Sequence, residues 1–495
     1  MRLQRGEEGN CVGARVSGRH AAVALLGQWT KYGVQIVALV LFSRMLNPEE
    51  FGVVAMVLAV VGVAYVLGDF GLSLAALRAT HLSDQQRTNL FWLSTGVGLV
   101  LALAVCALAP VLVAVYDEPA VGPICYGLST VFLFNGLGGQ FRTELNRALR
   151  FTTLAAADVL GQVIGLVTGL VVILLGGGYW GLVAQQATAA GVTMLVLVHR
   201  ARWWPGWPAR GAEMSSLLRF GGLTFVAQLA NYVSSNADSV LIGRTWGSAT
   251  LGAYSRAFQI ARLPVQQVAA PLTRVVLPQL SARLADPPAF ARAVRMAQLL
   301  LTTILLGVLG FVAGAARPLV EVVLGPGWDV VPYVRALCLA GAFQAAGYIY
   351  YWVLLAQGRA GVLLASEVGA RVAMVGMMVV AVPWGATWVA LAAAAGQLLL
   401  LISGAIVALP RIGVPARPLL AVSVRPAIAF GIACAATAWA DRAWGEQLGA
   451  FPALGVALTV WCLACAPLLL IPGYRGDVRE VVAFAGTVVR KERVS

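Results

Sequence analysis

Apolar stretches of eighteen or more residues recur from one end of the chain to the other, separated by short polar breaks. A stretch of that length crosses a ~30 Å hydrocarbon core as a helix. Helix is also the form that satisfies every backbone polar group where water is absent. The pattern predicts fourteen spans, at 22–43, 51–72, 89–115, 121–143, 152–175, 179–199, 217–242, 250–274, 296–316, 331–356, 361–382, 386–409, 424–441 and 450–471. The longest interior breaks, near 200–216 and 275–295, leave no room for a soluble domain. The expected fold class is an all-α polytopic membrane protein.

The chain resembles itself at an offset of 200. Gln28 meets Gln228, Tyr32 meets Tyr232, Val40-Leu41 meets Val240-Leu241, Arg44 meets Arg244 and Gly52 meets Gly252. A composition this biased produces chance identities, so a second stretch matters. At an offset of 209 Arg150 meets Arg359, Asp158 meets Glu367 and Gln162 meets Arg371, and at 208 Trp180 meets Trp388. Six spans per unit is an even number, so the two units share one orientation. Parallel repeats of this kind place a site between them near the midplane. The expected organisation is a six-helix lobe at 1–200, a second at 201–416, and an appended pair of helices with a basic tail at 417–495, with a central cavity between the lobes.

The placement of charge fixes the expected orientation. Of the 35 Lys and Arg residues, 26 fall in one alternating set made of both termini and every second break, among them Arg78, Arg87, Arg142, Arg147, Arg150, Arg283 and Arg292. Five fall in the other set: Arg44, Arg244, Arg317, Arg335 and Arg442. This asymmetry puts both termini in the cytoplasm of a bacterial inner-membrane protein. It also accounts for the net charge of +14 without nucleic acid, because the cations are spread over alternate breaks and form no single patch. The N-terminal arginines before the first apolar run are like those of a signal peptide. That run is of full span length and contains Lys31, so it is read as an uncleaved first helix.

Four cations and several polar groups lie inside spans, where they are costly unless they face protein or water. The seventh span carries Thr224, Gln228, Asn231, Ser235 and Asp238 at spacings of 4, 3, 4 and 3, which puts them on one helix face. The first span carries Gln28, Lys31 and Gln35 at the same phase. Such stripes either bond helices together or line a water-filled cavity, and the charges of Lys31 and Asp238 favour the cavity. The eighth span carries Arg256, Gln259, Arg262, Gln266, Gln267 and Arg274 on one arc, with Pro264, Pro271 and Pro278 on the neighbouring face to bend it. Arg371 and Glu367 form an i,i+4 pair in the eleventh span, with Asp158 as the acidic counterpart in the fifth. The candidate substrate-binding residues are Lys31, Arg256, Arg262, Arg371, Gln28, Gln228, Asn231 and Asp238. The candidate ion-coupling acids are Asp158 and Glu367. An excess of cations suits phosphate, which arginine grips in bidentate fashion, and the amides suit sugar hydroxyls.

Nothing in the sequence points to catalysis, a cofactor or a metal. Cys462 and Cys465 form a CxxC inside an apolar span with no second pair. The three histidines, His20, His81 and His199, lie at span edges or in basic breaks. There is no GxxxxGK[ST] loop, which argues against direct ATP use.

Two stretches carry a family resemblance. The first is Leu46-Asn47-Pro48-Glu49-Glu50-Phe51-Gly52 followed by Gly68-Asp69-Phe70-Gly71-Leu72. The second is Asn236-Ala237-Asp238-Ser239-Val240-Leu241-Ile242-Gly243-Arg244, then Leu251-Gly252-Ala253-Tyr254-Ser255-Arg256-Ala257, Leu263-Pro264, Pro271 and Pro278. They resemble Wzx-type lipopolysaccharide and exopolysaccharide flippases of the multidrug/oligosaccharidyl-lipid/polysaccharide exporter superfamily. The resemblance covers roughly residues 20–410, and Asp238 and Arg256 fall on its motif positions. It implies two six-helix lobes, alternating access, and transfer of undecaprenyl-pyrophosphate-linked oligosaccharide to the outer leaflet. The partners it implies are the lipid-linked oligosaccharide, membrane lipids, a polysaccharide polymerase and glycosyltransferases. The alternatives are a multidrug/cation antiporter, which would prefer an acidic cavity, a membrane polymerase or ligase, which would carry a substantial outer loop, and a non-transporting scaffold.

Overall fold

The computed structural model describes residues 27–69, 83–208, 215–410, 416–466 and 476. At 65–69, 215–231, 233, 274, 360, 408, 416 and 446 it describes the backbone alone. The N-terminal arginines, the Gly71-Leu72 end of the first motif, Arg78, His81, Arg210, Arg411 and the basic tail lie outside the described residues. So do the side chains of Thr224, Gln228, Asn231 and Arg274.

Every expected span coincides with a helix, and no strand occurs among the described residues. The helices are α1 (27–45), α2 (Pro48–Asp69), α3 (Asp84–Tyr116), α4 (Val121–Arg147), α5 (Phe151–Leu174) and α6 (Trp180–Ala201). They continue as α7 (215–246), α8 (248–281), α9 (Pro287–Gly314), the short α10 (Ala316–Val323) and α11 (Val331–Ala356). The last four are α12 (Ala360–Ala381), α13 (Ala386–Ser403), α14 (Ala416–Trp444) and α15 (Ala450–Cys465). Among the described residues nine helices are long and apolar enough to cross a bilayer.

Local sequence sets the helix ends. Ser83 and Gln86 form a reciprocal capping box at the start of α3, which satisfies two orphan backbone donors. The Asn47-Pro48-Glu49-Glu50 motif does the same for α2: Glu50 N donates to Asn47 Oδ1 at 2.9 Å and Asn47 N to Glu50 Oε2 at 3.0 Å. Pro48 takes the first helical position, where its missing donor costs nothing. Two expected spans, the seventh and eighth, run into each other with no loop. Gly247 (φ 78°) is the break between them, a backbone conformation that glycine adopts without strain.

The described residues group into two compact units, one ending at Gly252 and the other beginning at Ala253. In the first unit α3 packs on α4 and α5 on α6. The α5–α6 crossing is close because small residues face it: a methyl placed on Gly165 lies 2.6 Å from Gln185 O, and one on Gly169 lies 2.8 Å from Gly181 O. Small-residue faces let helix backbones approach where hydrophobic burial gives no drive between helices. α2 and α7 are tied by Tyr232, whose hydroxyl donates to Leu58 O at 2.9 Å.

In the second unit α14 packs on α9, and α15 on α14. Gln298 on α9 is fully buried and donates to Ser423 Oγ on α14 at 3.0 Å and to Ala346 O on α11 at 3.1 Å. Trp461 of α15 stacks on Phe430 of α14, with centroids 5.9 Å apart. The two C-terminal helices, expected from the sequence as an appended pair, pack on this unit through α9.

The repeat seen in the sequence recurs in the backbone. Leu149 (φ 54°) and Gly358 (φ 70°) adopt the same left-handed turn 209 residues apart. Each is followed by an arginine at a helix N-cap, Arg150 and Arg359. The hydrogen bonds match as well: Arg150 N donates to Leu145 O and Arg359 N to Leu354 O, both at 2.9 Å.

Candidate functional site

Some of the polar side chains expected from the sequence come together: Gln28, Lys31 and Asp158 in the first unit, and Arg371 and Glu367 in the second. In the first unit, α1 and α5 enclose a cavity of about 170 Å³ lined by Gln28, Lys31, Tyr32, Phe151, Leu154 and Asp158, with Gly27 and Ala155 at the helix crossing. The Gln28 amide donates to the Tyr32 hydroxyl. Asp158 is bridged by both terminal nitrogens of Arg142 on α4, the longer contact being 3.3 Å. Arg142 counts among the basic breaks by sequence. In the structure it lies inside α4, a turn before the helix ends, and is the partner of a candidate acid. Asp158 thus pairs with Arg142 and lines the same cavity as Lys31. Side chains of this length reach from a helix end toward polar groups deeper in the bundle.

In the second unit Arg371 and Glu367 form the expected pair on α12, with Nη2–Oε2 at 3.0 Å, each side chain about a fifth exposed. Arg262 on α8 lies over the Phe258 ring, 5.0 Å from its centroid, a cation–π placement. Between them stand tyrosines of α11. Tyr348 lies within electrostatic reach of both Arg262 and Glu367, Tyr350 within reach of Glu367 and Arg371, and Tyr351 within reach of Glu367. Tyr348 meets Tyr351 edge to face at 5.9 Å. The Tyr350 ring sits against Gly404, where α13 widens into a π-turn over Gly404–Ala408. Such turns are frequent at functional positions in helices. Here Glu367 pairs with Arg371, while Arg262 lies over an aromatic face.

Asp238 on α7 is buried, and its Oδ1 accepts from Ser239 N at 2.7 Å. It is not among the residues that line the α1–α5 cavity. Arg256 on α8 is partly buried, next to Ala257 and two residues after Tyr254, which stacks on Phe258 and packs against Tyr333. The motif around Gly252-Ala253-Tyr254 is thus largely core. Sequence reasoning passed over Arg142 and the tyrosines. The Tyr348-Ile349-Tyr350-Tyr351-Trp352 run carries a signal, since it puts four aromatic rings in one and a half turns of a span.

The chain is similar to known proteins in sequence and in fold. The lipopolysaccharide biosynthesis protein WzxC of Escherichia coli (strain K12) is 24% identical over 66% of this chain and 67% of its own. The succinoglycan biosynthesis transport protein ExoT of Rhizobium meliloti (strain 1021) is 26% identical over 64% of each chain, so this match spans just under two thirds of that relative. Among solved structures, the lipid II flippase MurJ matches with a TM-score of 0.66 at 12% identity, over 90% of this chain and 99% of that one. An inward-facing multidrug resistance MATE family transporter matches with a TM-score of 0.62 at 16% identity, over 79% of this chain and 95% of that one. These two likenesses show a shared multi-helix membrane fold. The sequence model of the family described as "Polysaccharide biosynthesis protein" matches residues 41–333, more than half of the chain, and the protein belongs to that family.

Proposed function

We propose that the protein is a flippase that carries undecaprenyl-pyrophosphate-linked oligosaccharide across the bacterial cytoplasmic membrane by alternating access, with both termini in the cytoplasm. Family membership and relatives named for lipopolysaccharide biosynthesis and succinoglycan transport support a role in moving polysaccharide precursors. The observation that carries the finer reading is the excess of cation over carboxylate in each intramembrane cluster, Lys31 and Arg142 over Asp158, and Arg262 and Arg371 over Glu367. Pyrophosphate is the ligand such an excess suits, and a cationic drug is the ligand it repels. The tyrosine faces of α11 suit sugar rings. Gln28, Gln228, Asn231, Asp238 and Arg256 complete the proposed substrate set. In the resting pairs Arg142 is neutralised by Asp158 and Arg371 by Glu367. Opening of those pairs would free the guanidinium for phosphate, and Asp158 and Glu367 are the acids proposed to couple an ion gradient to transport. A polymerase and glycosyltransferases are the partners this role calls for.

The test is complementation of a flippase-deficient strain. Arg262→Ala and Arg371→Ala are each expected to lower polymer export at least tenfold, because each removes a cation proposed to hold the substrate phosphate, and losing one partner of a desolvated charged contact costs roughly 2–5 kcal/mol. Lipid-linked units should accumulate facing the cytoplasm. Arg371→Lys should restore export only in part, since an ammonium cannot make a bidentate contact. Wild-type export in both alanine variants would remove the second cluster from the site.

A further inference from the structure

A second cavity, which shares no lining residue with either cluster, lies in the hairpin where α8 turns into α9. It has a volume of about 300 Å³, at the lower end of the ~300–1,000 Å³ typical of small-molecule sites. Its floor is apolar, formed by Leu280, Ala293 and Met296, and its mouth carries Arg283, Arg292 and Gln279. Arg283 is pinned there by a 2.8 Å bond from Nη1 to Gln279 O, at the last turn of α8. The one acid of the turn, Asp286, is engaged by the next helix, where its Oδ1 caps α9 by accepting from Ala289 N at 3.0 Å. Both arginines are exposed.

The depth of this cavity follows from helix length. At ~1.5 Å per residue the 28 residues of α9 rise roughly 42 Å, against ~30 Å of hydrocarbon. The strongly apolar part of α9 lies beyond Met296, so its first turns, with Arg292, stand at the level of the lipid headgroups. Two cations above an apolar floor at that level match an amphiphile with an anionic head. We infer that this hairpin holds an anionic glycerophospholipid, its phosphate between Arg283 and Arg292 and its first methylenes on Leu280, Ala293 and Met296. The site is separate from the one proposed for the transported substrate, and the inference stands without that reading.

The full-length protein in neutral detergent, offered phosphatidylglycerol or phosphatidylcholine, would be examined by native mass spectrometry. Wild type should retain phosphatidylglycerol in preference. Each arginine removed should lower that retention about fivefold, the fold-change expected for ~1 kcal/mol per basic residue near a charged membrane surface. Arg292→Ala replaces an exposed side chain and should fold like wild type. Ala293→Phe, which fills the floor while keeping both arginines, should also lower retention. Three kinds of outcome would each overturn the inference. One is equal retention of the two lipids, or no change in Arg292→Ala. Another is competition by glycerol phosphate as strong as by the whole lipid, which would make this a free-anion site. The third is displacement by undecaprenyl phosphate at a tenfold lower concentration, which would give the site to the sugar carrier.

Discussion

Arg317→Ala is expected to cost about 3 kcal/mol of stability. Arg317 sits on α10 and reaches Asp441 near the end of α14, with Nη2–Oδ1 at 2.9 Å and Nε–Oδ1 at 3.2 Å. The Asp441 side chain is only 5% exposed, whereas that of Arg317 is 28% exposed. Removing the arginine therefore strands a buried carboxylate. The reverse change is milder. In Asp441→Ala the guanidinium keeps Glu321, at 3.5 Å, and its own access to water. Thermal denaturation of the purified protein should show a loss of several degrees for Arg317→Ala and a clearly smaller one for Asp441→Ala. The double variant should lie above Arg317→Ala alone, because the stranded charge is gone. Equal losses in the two single variants would show that burial of Asp441 is not what gives the pair its importance. The pair also bears on organisation, since it is one of the ties holding α14 into the second unit.

That tie shows what hydrophobic pattern reveals and what it leaves out. Span length and apolarity are local properties, so each expected span falls on a helix, although the helices of the ninth and thirteenth spans begin nine and eight residues earlier than expected. The break between the seventh and eighth spans is harder to place, because Gly247 interrupts the helix without a polar loop to mark it. Packing partners are not local. Nothing near either residue gives a reason for Gln298 to meet Ser423, 125 residues away, so α14 and α15 look detached on paper. The site is legible to the same degree. The i,i+4 geometry of Glu367 and Arg371 is a property of one helix and can be read directly. The partner of Asp158 cannot, because Arg142 stands on another helix and, counted by position, passes for a loop cation. The tyrosines of α11 escape notice for a further reason: in a 60% hydrophobic chain an aromatic run reads as lipid-facing bulk. The internal repeat is the most informative long-range signal. It marks Arg150 and Arg359, which the structure shows at equivalent helix starts, and it pairs Gly52 with Gly252.

Those two glycines support the second prediction: a single added methyl at either should prevent recovery of stable protein. A methyl placed on Gly52 overlaps Ser248 O and stands 2.8 Å from Ser248 Cα. One placed on Gly252 overlaps Pro48 O and stands 2.9 Å from Gly52 N. The contact is reciprocal within the first unit: each glycine faces the residue four positions before the other, and both ends are related by the repeat offset of 200. The obstructing atoms are backbone on both sides, so no side chain can swing away. Overpacking usually costs about 1–3 kcal/mol when rotamers can adjust, and here the helices themselves would have to separate. Gly52→Ala and Gly252→Ala should each give little monodisperse protein by size-exclusion chromatography. Gly96→Ala and Gly376→Ala are the controls, because nothing lies within 4 Å of a methyl at either position. They should behave like wild type or gain slightly, alanine being the better helix former by roughly 1 kcal/mol. The double variant Gly52→Ala with Gly252→Ala should be little worse than either single one, since the helix separation forced by the first methyl makes room for the second. If Gly252→Ala were as stable as Gly96→Ala, the helices would not meet at this point, and the two ends of the repeat would not share a contact.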